Sequence, residues 1–144
     1  MEIVEGTFLK IPIFRQHFEF SNLHTASSFP KQQRRAGVIT TLNSVRQSEG
    51  QTIVELTLHY KDAGNAFESH RGWTTRNRVY LTSGKKTLAE NASRETIEQK
   101  KQSVTYRFTF ETEADLQKLA FHYHTPALLM ERQVEFELHD IPLP

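Results

Sequence analysis

The chain contains no cysteine, which excludes disulfides, thiolate nucleophiles, zinc fingers and iron–sulfur clusters together. It also lacks any run close to the roughly 18 apolar residues that a membrane span requires. The formal net charge is +1 and the pI is about 8.1, below the value of about 9 that is typical of nucleic-acid-binding domains. Nucleophile elbows, dinucleotide-binding glycine loops and Walker loops are missing. These absences predict a soluble protein and give no support to catalysis.

Enough apolar mass is present for one core. The chain has 144 residues, of which 37% are hydrophobic, including ten phenylalanines. That length predicts one domain over residues 1–144, with about two-thirds of the unfolded surface buried. The start, "MEIVEGTFLK", has no signal-peptide pattern, and "DIPLP" ends the chain directly after a strand-like run. We expect the C-terminal domain of a longer exported protein, in the periplasm or on the cell surface; a cytoplasmic protein is the alternative.

Apolar residues alternate with polar ones in four segments, which is typical of half-buried antiparallel strands. The segments are "TIVELTLHY", "VTYRFTFE", "LAFHYH" and "VEFELHD". In the third of them, Leu119, Phe121 and Tyr123 are predicted to face the core, and His122 and His124 the solvent. Weaker strand patterns occur in "TFLKIPIF", "HFEF", "GVITTLNSV" and "RVYL".

These patterns predict an all-β fold of seven or eight strands in two packed antiparallel sheets, an immunoglobulin-like β-sandwich. Pro12 cannot donate to a strand ladder and is therefore expected at a sheet edge or a bulge. One short helical connector is predicted in "TEADLQKL", with Thr112 as its cap. Gly50 and Gly84 are expected in tight turns. The basic residues Lys31, Arg34, Arg35, Lys85, Lys86, Lys100 and Lys101 are expected in solvated loops without stacking aromatics, so no nucleic-acid partner is predicted.

His122 and His124 are separated by two positions of one strand, so both imidazoles are expected on the same polar face, about 6.6–6.8 Å apart. If "TPALLMER" is a hairpin loop, a symmetric register places Glu135 opposite His122. The three side chains would then form a site for a divalent metal, with His59 or His139 as further candidates. The alternative is ordinary cross-strand pairing of His with Glu on a solvated face, and a register slip of one residue would destroy the cluster.

The segment "DAGNAFESHRGWTTRN" contains the only Trp of the chain. His70, Arg71 and Trp73 could grip an anionic or sugar-like ligand, because the Trp offers a flat apolar surface beside two polar groups. In the alternative interpretation, "DAGN" is a turn and Trp73 covers the edge of the core.

The strand and turn "TIVELTLHYKDAGNAF" resembles immunoglobulin-like β-sandwich modules of bacterial exported proteins and lipoproteins, and "VTYRFTFETEADLQKLAFHYHTP" with "VEFEL" resembles their closing strands. The resemblance covers about ninety residues, and the lipidated Cys of a lipoprotein is missing. It implies an accessory binding or interaction domain outside the cytoplasm, with no catalytic residues to carry over.

The sequence therefore predicts a non-enzymatic binding or interaction module without a resident cofactor, whose partner is an unknown protein or small ligand. Three alternatives stay open. The first is a metal carrier or metal-dependent enzyme that uses His122, His124 and Glu135. The second is a small-ligand carrier with a pocket capped by Trp73. The third is a homo-oligomer formed through edge strands.

Overall fold

The structure, a computed structural model, describes the backbone of residues 7–60, 77–90 and 92–134 and the side chains of residues 15–60, 77–90 and 92–125. The strands within these ranges are β1 (Thr7–Phe20), β2 (Lys31–Arg35), β3 (Val38–Ser48), β4 (Gln51–Tyr60), β5 (Val79–Ser83), β6 (Lys86–Ala89), β7 (Ser93–Gln99), β8 (Ser103–Phe110) and β9 (Leu119–Val134). A single 3-10 turn, Ala26–Ser28, lies between β1 and β2. Among the described residues, none forms a helix with the length and hydropathy of a membrane span.

The strands form two antiparallel sheets, which confirms the predicted two-sheet β-sandwich. We call them sheet A, with strand order β1-β9-β5-β6, and sheet B, with order β2-β3-β4-β8-β7. The described residues contain nine strands, more than the seven or eight predicted. The additional ones, β2, β6 and β7, all lie at sheet edges. Their side chains are mostly exposed, so they lack the alternation by which strands are recognised.

The predicted inner faces of the central strands are confirmed. In β4, Val54, Leu56 and Leu58 are buried and the residues between them are half-buried. Strand β8 repeats this pattern. The buried residues of both sheets form one apolar cluster, in which Phe108 of sheet B lies 6.0 Å from Phe121 of sheet A, centroid to centroid. This cluster removes the large aromatic side chains from water, which is the main driving force for folding.

Strands β1 and β9 pair along most of their length, from Thr7 with Val134 to Phe20 with Phe121. The two weak patterns at the start of the chain therefore belong to one long strand. β1 lies at the edge of sheet A, where Pro12 was predicted. The hairpin on which the Glu135 site depended is not formed in "TPALLMER", because residues 125–132 continue β9 without a turn.

The predicted helical connector over 112–119 is also wrong. The backbone carbonyl of Asp115 accepts a hydrogen bond from the N–H of Lys118, and its carboxylate accepts one from the N–H of Gln117. Such side-chain bonds to the backbone compete with helix formation. A helix of two turns is also too short to offset the unfavourable free energy of helix nucleation. Leu119 instead begins β9.

Two-residue turns close the tight hairpins. Glu49 and Gly50 both have positive φ, 51° and 85°, as the type I′ turn between β3 and β4 requires. Gly84 has a φ of 58° in the turn from β5 to β6. Both glycines are where the sequence predicted them.

The basic residues were predicted to lie in loops, and this prediction is wrong for four of them. Lys31, Arg34 and Arg35 lie in β2, and Lys86 lies in β6.

Candidate metal centre

The outer face of sheet A carries a cluster of titratable and aromatic side chains. Three neighbouring strands supply it, because alternate residues of β1, β9 and β5 point away from the core. We call it the outer histidine cluster; its members are His17, Glu19, Tyr80, Thr82, His122 and His124. Their inward neighbours on these strands include Phe18, Phe121 and Leu81, each 0% exposed. The apolar core therefore fixes the faces from which the cluster projects.

The strand register aligns the cluster in rows. Glu19 is paired with His122, and His122 is paired on its other side with Tyr80. In the next row His17 is paired with His124. Directly paired residues have Cβ atoms about 4.5–5.5 Å apart, so each row places polar side chains in contact.

Hydrogen bonds cross the rows diagonally. His17 Nε2 lies 2.9 Å from His122 Nδ1, and His122 Nε2 lies 2.8 Å from the hydroxyl of Thr82. His124 Nε2 lies 3.2 Å from the hydroxyl of Tyr80. A neutral imidazole has one donor and one acceptor nitrogen, so both nitrogens of His122 are matched with a partner.

Ring stacking holds the imidazoles in place. His17 and His124 stack with centroids 4.3 Å apart and planes 5° apart. Tyr80 stacks on His122 at 4.6 Å and 6°. His122 is only 7% exposed although it is on the outer face, because its neighbours cover it, whereas His17 and Glu19 are exposed. His122 is therefore buried and held by its neighbours, whereas His17 and Glu19 are open to solvent.

Burial lowers the pKa of His122 below the usual histidine value; Glu19 raises this pKa, and His17 lowers it. The pKa of His124 is lowered by burial first and then by the positive charges near it, including those of Arg78 and Arg15. Both shifts favour the neutral form of the imidazole. A neutral imidazole offers the lone pair that a metal ion needs.

Three side chains of the cluster can supply one ligand atom each to a single ion. One such atom from each of His17, Glu19 and His122 lies within 4.8 Å of the others. Metal–nitrogen distances of about 2.0–2.1 Å place two nitrogens on a tetrahedral ion about 3.3–3.4 Å apart. The nitrogens of His17 and His122 are 2.9 Å apart, so small ring rotations are enough to accommodate an ion.

The carboxylate of Glu19 supplies a negative charge that acts on His122. Arg78, whose positive charge acts on His124, forms an ion pair of 2.8 Å with Glu90. Its guanidinium also lies 4.7 Å from the centroid of the Tyr80 ring. Arg78 is therefore held by two partners outside the ligand set, which reduces its repulsion of a cation.

The predicted site residues have different outcomes. His122 and His124 do lie on the same outer face, but His124 bonds to Tyr80 and is not one of the three convergent ligands. Glu135 lies outside the described residues, as does His139, and the hairpin that would bring Glu135 opposite His122 is not formed. His59 lies on β4 of sheet B and so belongs to the other sheet.

The second predicted site, for an anionic or sugar-like ligand, lies outside the described residues. Its members are His70, Arg71 and Trp73, and the site stays a prediction.

The sequence interpretation missed His17 and Glu19. Their signal is the segment "HFEF", in which Phe18 and Phe20 face the core and His17 and Glu19 alternate with them. The pattern matches "HYH" in β9, and pairing two such strands places their polar faces side by side. What the sequence does not contain is the pairing itself.

No family model, curated protein or solved structure matches this chain with significance. The resemblance to immunoglobulin-like modules therefore stays a prediction, and the geometry of the cluster is the main guide to function.

Proposed function

We propose that this protein is a non-enzymatic binding domain that holds one divalent transition-metal ion on the outer face of sheet A. His17, Glu19 and His122 are the protein ligands. The observation that carries the proposal is the convergence of their three ligand atoms within 4.8 Å from two paired strands. A site built on strands keeps its ligands in place better than one built on loops.

The ligand types favour zinc and its neighbours in the first transition series. Imidazole suits zinc, copper, nickel and iron, whereas calcium and magnesium prefer sites made of oxygen ligands. Histidines bind a metal as neutral imidazoles, so two of them with one carboxylate would give the ligand set a charge of −1, which partly balances a divalent ion. A site with three protein ligands has one open coordination position, and the exposure of His17 and Glu19 favours a position that faces solvent.

Titration calorimetry of the metal-free protein with zinc chloride tests the proposal. We expect one equivalent of Zn²⁺ to bind, and His17→Ala to weaken the affinity at least about tenfold by removing a ligand. His17 is the better choice for mutation because it is exposed, so its loss should disturb folding less than the loss of buried His122. Glu19→Gln, which removes the charge and keeps the size, should also weaken binding.

His59→Ala is the matched control. His59 also projects from the outer face of a sheet, but it lies on β4 of sheet B. Its removal should leave the zinc affinity unchanged. Equal affinity of the wild type and His17→Ala would instead mean that the cluster is only a set of cross-strand pairs.

A further inference from the structure

His122 has a different partner at each of its two ring nitrogens. Nδ1 faces β1, where it lies 2.9 Å from His17 Nε2. Nε2 faces β5, where it lies 2.8 Å from the hydroxyl of Thr82. Glu19 and His17 both belong to β1, so Nδ1 is the nitrogen on the side of the other proposed ligands.

We propose that Thr82 is a positioning residue for the metal centre: its hydroxyl oxygen accepts the Nε2–H of His122 and thereby keeps Nδ1 free to bind the ion. This inference rests on the proposed function. A neutral imidazole carries its proton on one nitrogen only, so an acceptor at Nε2 selects the tautomer whose lone pair is on Nδ1. Metal-binding histidines commonly have such a partner on their second nitrogen.

Strand β5 fixes the ring of His122 in two ways. Tyr80 stacks on the ring at 4.6 Å with planes 6° apart, which sets the plane of the imidazole. Thr82, two residues further along β5, bonds its edge and so sets which nitrogen points toward β1. The ring is therefore oriented before any ion arrives.

The tautomer of His122 with its proton on Nε2 also fits the hydrogen bonds of the metal-free protein. With Nε2–H donating to Thr82, Nδ1 of His122 accepts a hydrogen bond from the Nε2–H of His17. When an ion binds, His17 must present the Nε2 lone pair instead, so its single ring proton must change from Nε2 to Nδ1 by exchange with water, and the imidazole stays neutral. His122 needs no proton rearrangement. The ion then receives Nδ1 from His122, Nε2 from His17 and a carboxylate oxygen from Glu19.

Zinc affinity of Thr82 variants gives the first test. Thr82→Val removes the hydroxyl and keeps the shape, and we expect it to weaken Zn²⁺ binding about 10- to 100-fold. Thr82→Ser restores the hydroxyl and should recover most of the affinity. Thr87→Val is the matched control, because Thr87 pairs directly with Thr82 on β6 and is exposed; it should bind as the wild type does. Wild-type affinity in Thr82→Val would overturn the inference.

Nitrogen-15 chemical shifts of the imidazole rings give a second test that does not depend on metal binding or on the folding of a variant. In the metal-free wild type, His122 should carry its proton on Nε2; a proton on Nδ1 would overturn the inference. If the wild type binds no Zn²⁺, the proposed function fails, and the role of Thr82 in metal binding fails with it. If the wild type binds Zn²⁺ but His122 carries its proton on Nδ1, only the inference about Thr82 fails.

Discussion

At the scale of single residues, the inner face of β9 also carries polar side chains that are joined by hydrogen bonds. The hydroxyl of Thr125 is bonded to the hydroxyl of Tyr60 and accepts from the side-chain amide of Asn77. The amide of Asn77 also donates to the hydroxyl of Tyr123. Thr125 is 0% exposed, and burial raises the pKa of both tyrosines, so both stay neutral. These hydrogen bonds link sheet B to sheet A through Tyr60 and Thr125.

The burial of Thr125 leads to a stability prediction. Thr125→Val should lower the free energy of unfolding by about 1–3 kcal/mol, because buried hydrogen bonds are lost without water to replace them. Thr57→Val is the control: Thr57 also has two side-chain hydrogen bonds, to Asn43 and Thr105, but it is only half-buried on an outer face. For Thr57→Val the loss in the free energy of unfolding should stay below about 1 kcal/mol. Urea unfolding followed by circular dichroism measures both, and equal losses would contradict the assigned faces.

At the scale of elements, strands with two different faces could be predicted and strands without them could not. β4, β8 and the start of β9 alternate because one face meets the core and the other meets water. β7 is exposed at every position, so its sequence, "SRETIEQ", contains no periodic signal. A register shift between Thr96 and Glu98 forms a bulge in β7, a device that discourages edge-to-edge pairing. The alternative of a homo-oligomer formed through edge strands stays open.

The alternation of buried and half-buried positions along β4 can be tested by mutating one residue on each face of this strand. Leu56→Ala should lower the free energy of unfolding by about 2–5 kcal/mol, because Leu56 is 0% exposed and its loss leaves a cavity. Ile53→Ala, on the outer face of the same strand, removes a comparable side chain from a half-buried position and should cost no more than about 1 kcal/mol. The ratio of the two losses in urea unfolding measures how strongly the faces differ. Similar losses would mean that the face assignment is wrong.

At the scale of the whole molecule, the metal centre depends on topology, which the sequence leaves open. His17 and His122 are 105 positions apart in the chain, and they meet only because β1 pairs with β9. The outward direction of His122 followed from its strand pattern alone, since Phe121 and Tyr123 must face the core. The strand that pairs with β9 could not be predicted in this way, because any strand with an alternating pattern could lie next to β9. The predicted ligand Glu135 came from assuming a local hairpin where the chain instead continues as one strand.

Anomalous scattering at the zinc absorption edge, from crystals grown with Zn²⁺, would show whether zinc binds to the outer histidine cluster. It searches the whole molecule without assuming a site. We expect one strong peak, bonded to Nε2 of His17, Nδ1 of His122 and a carboxylate oxygen of Glu19. The absence of a peak between these three side chains, or peaks only at other histidines such as His24 or His59, would contradict the account.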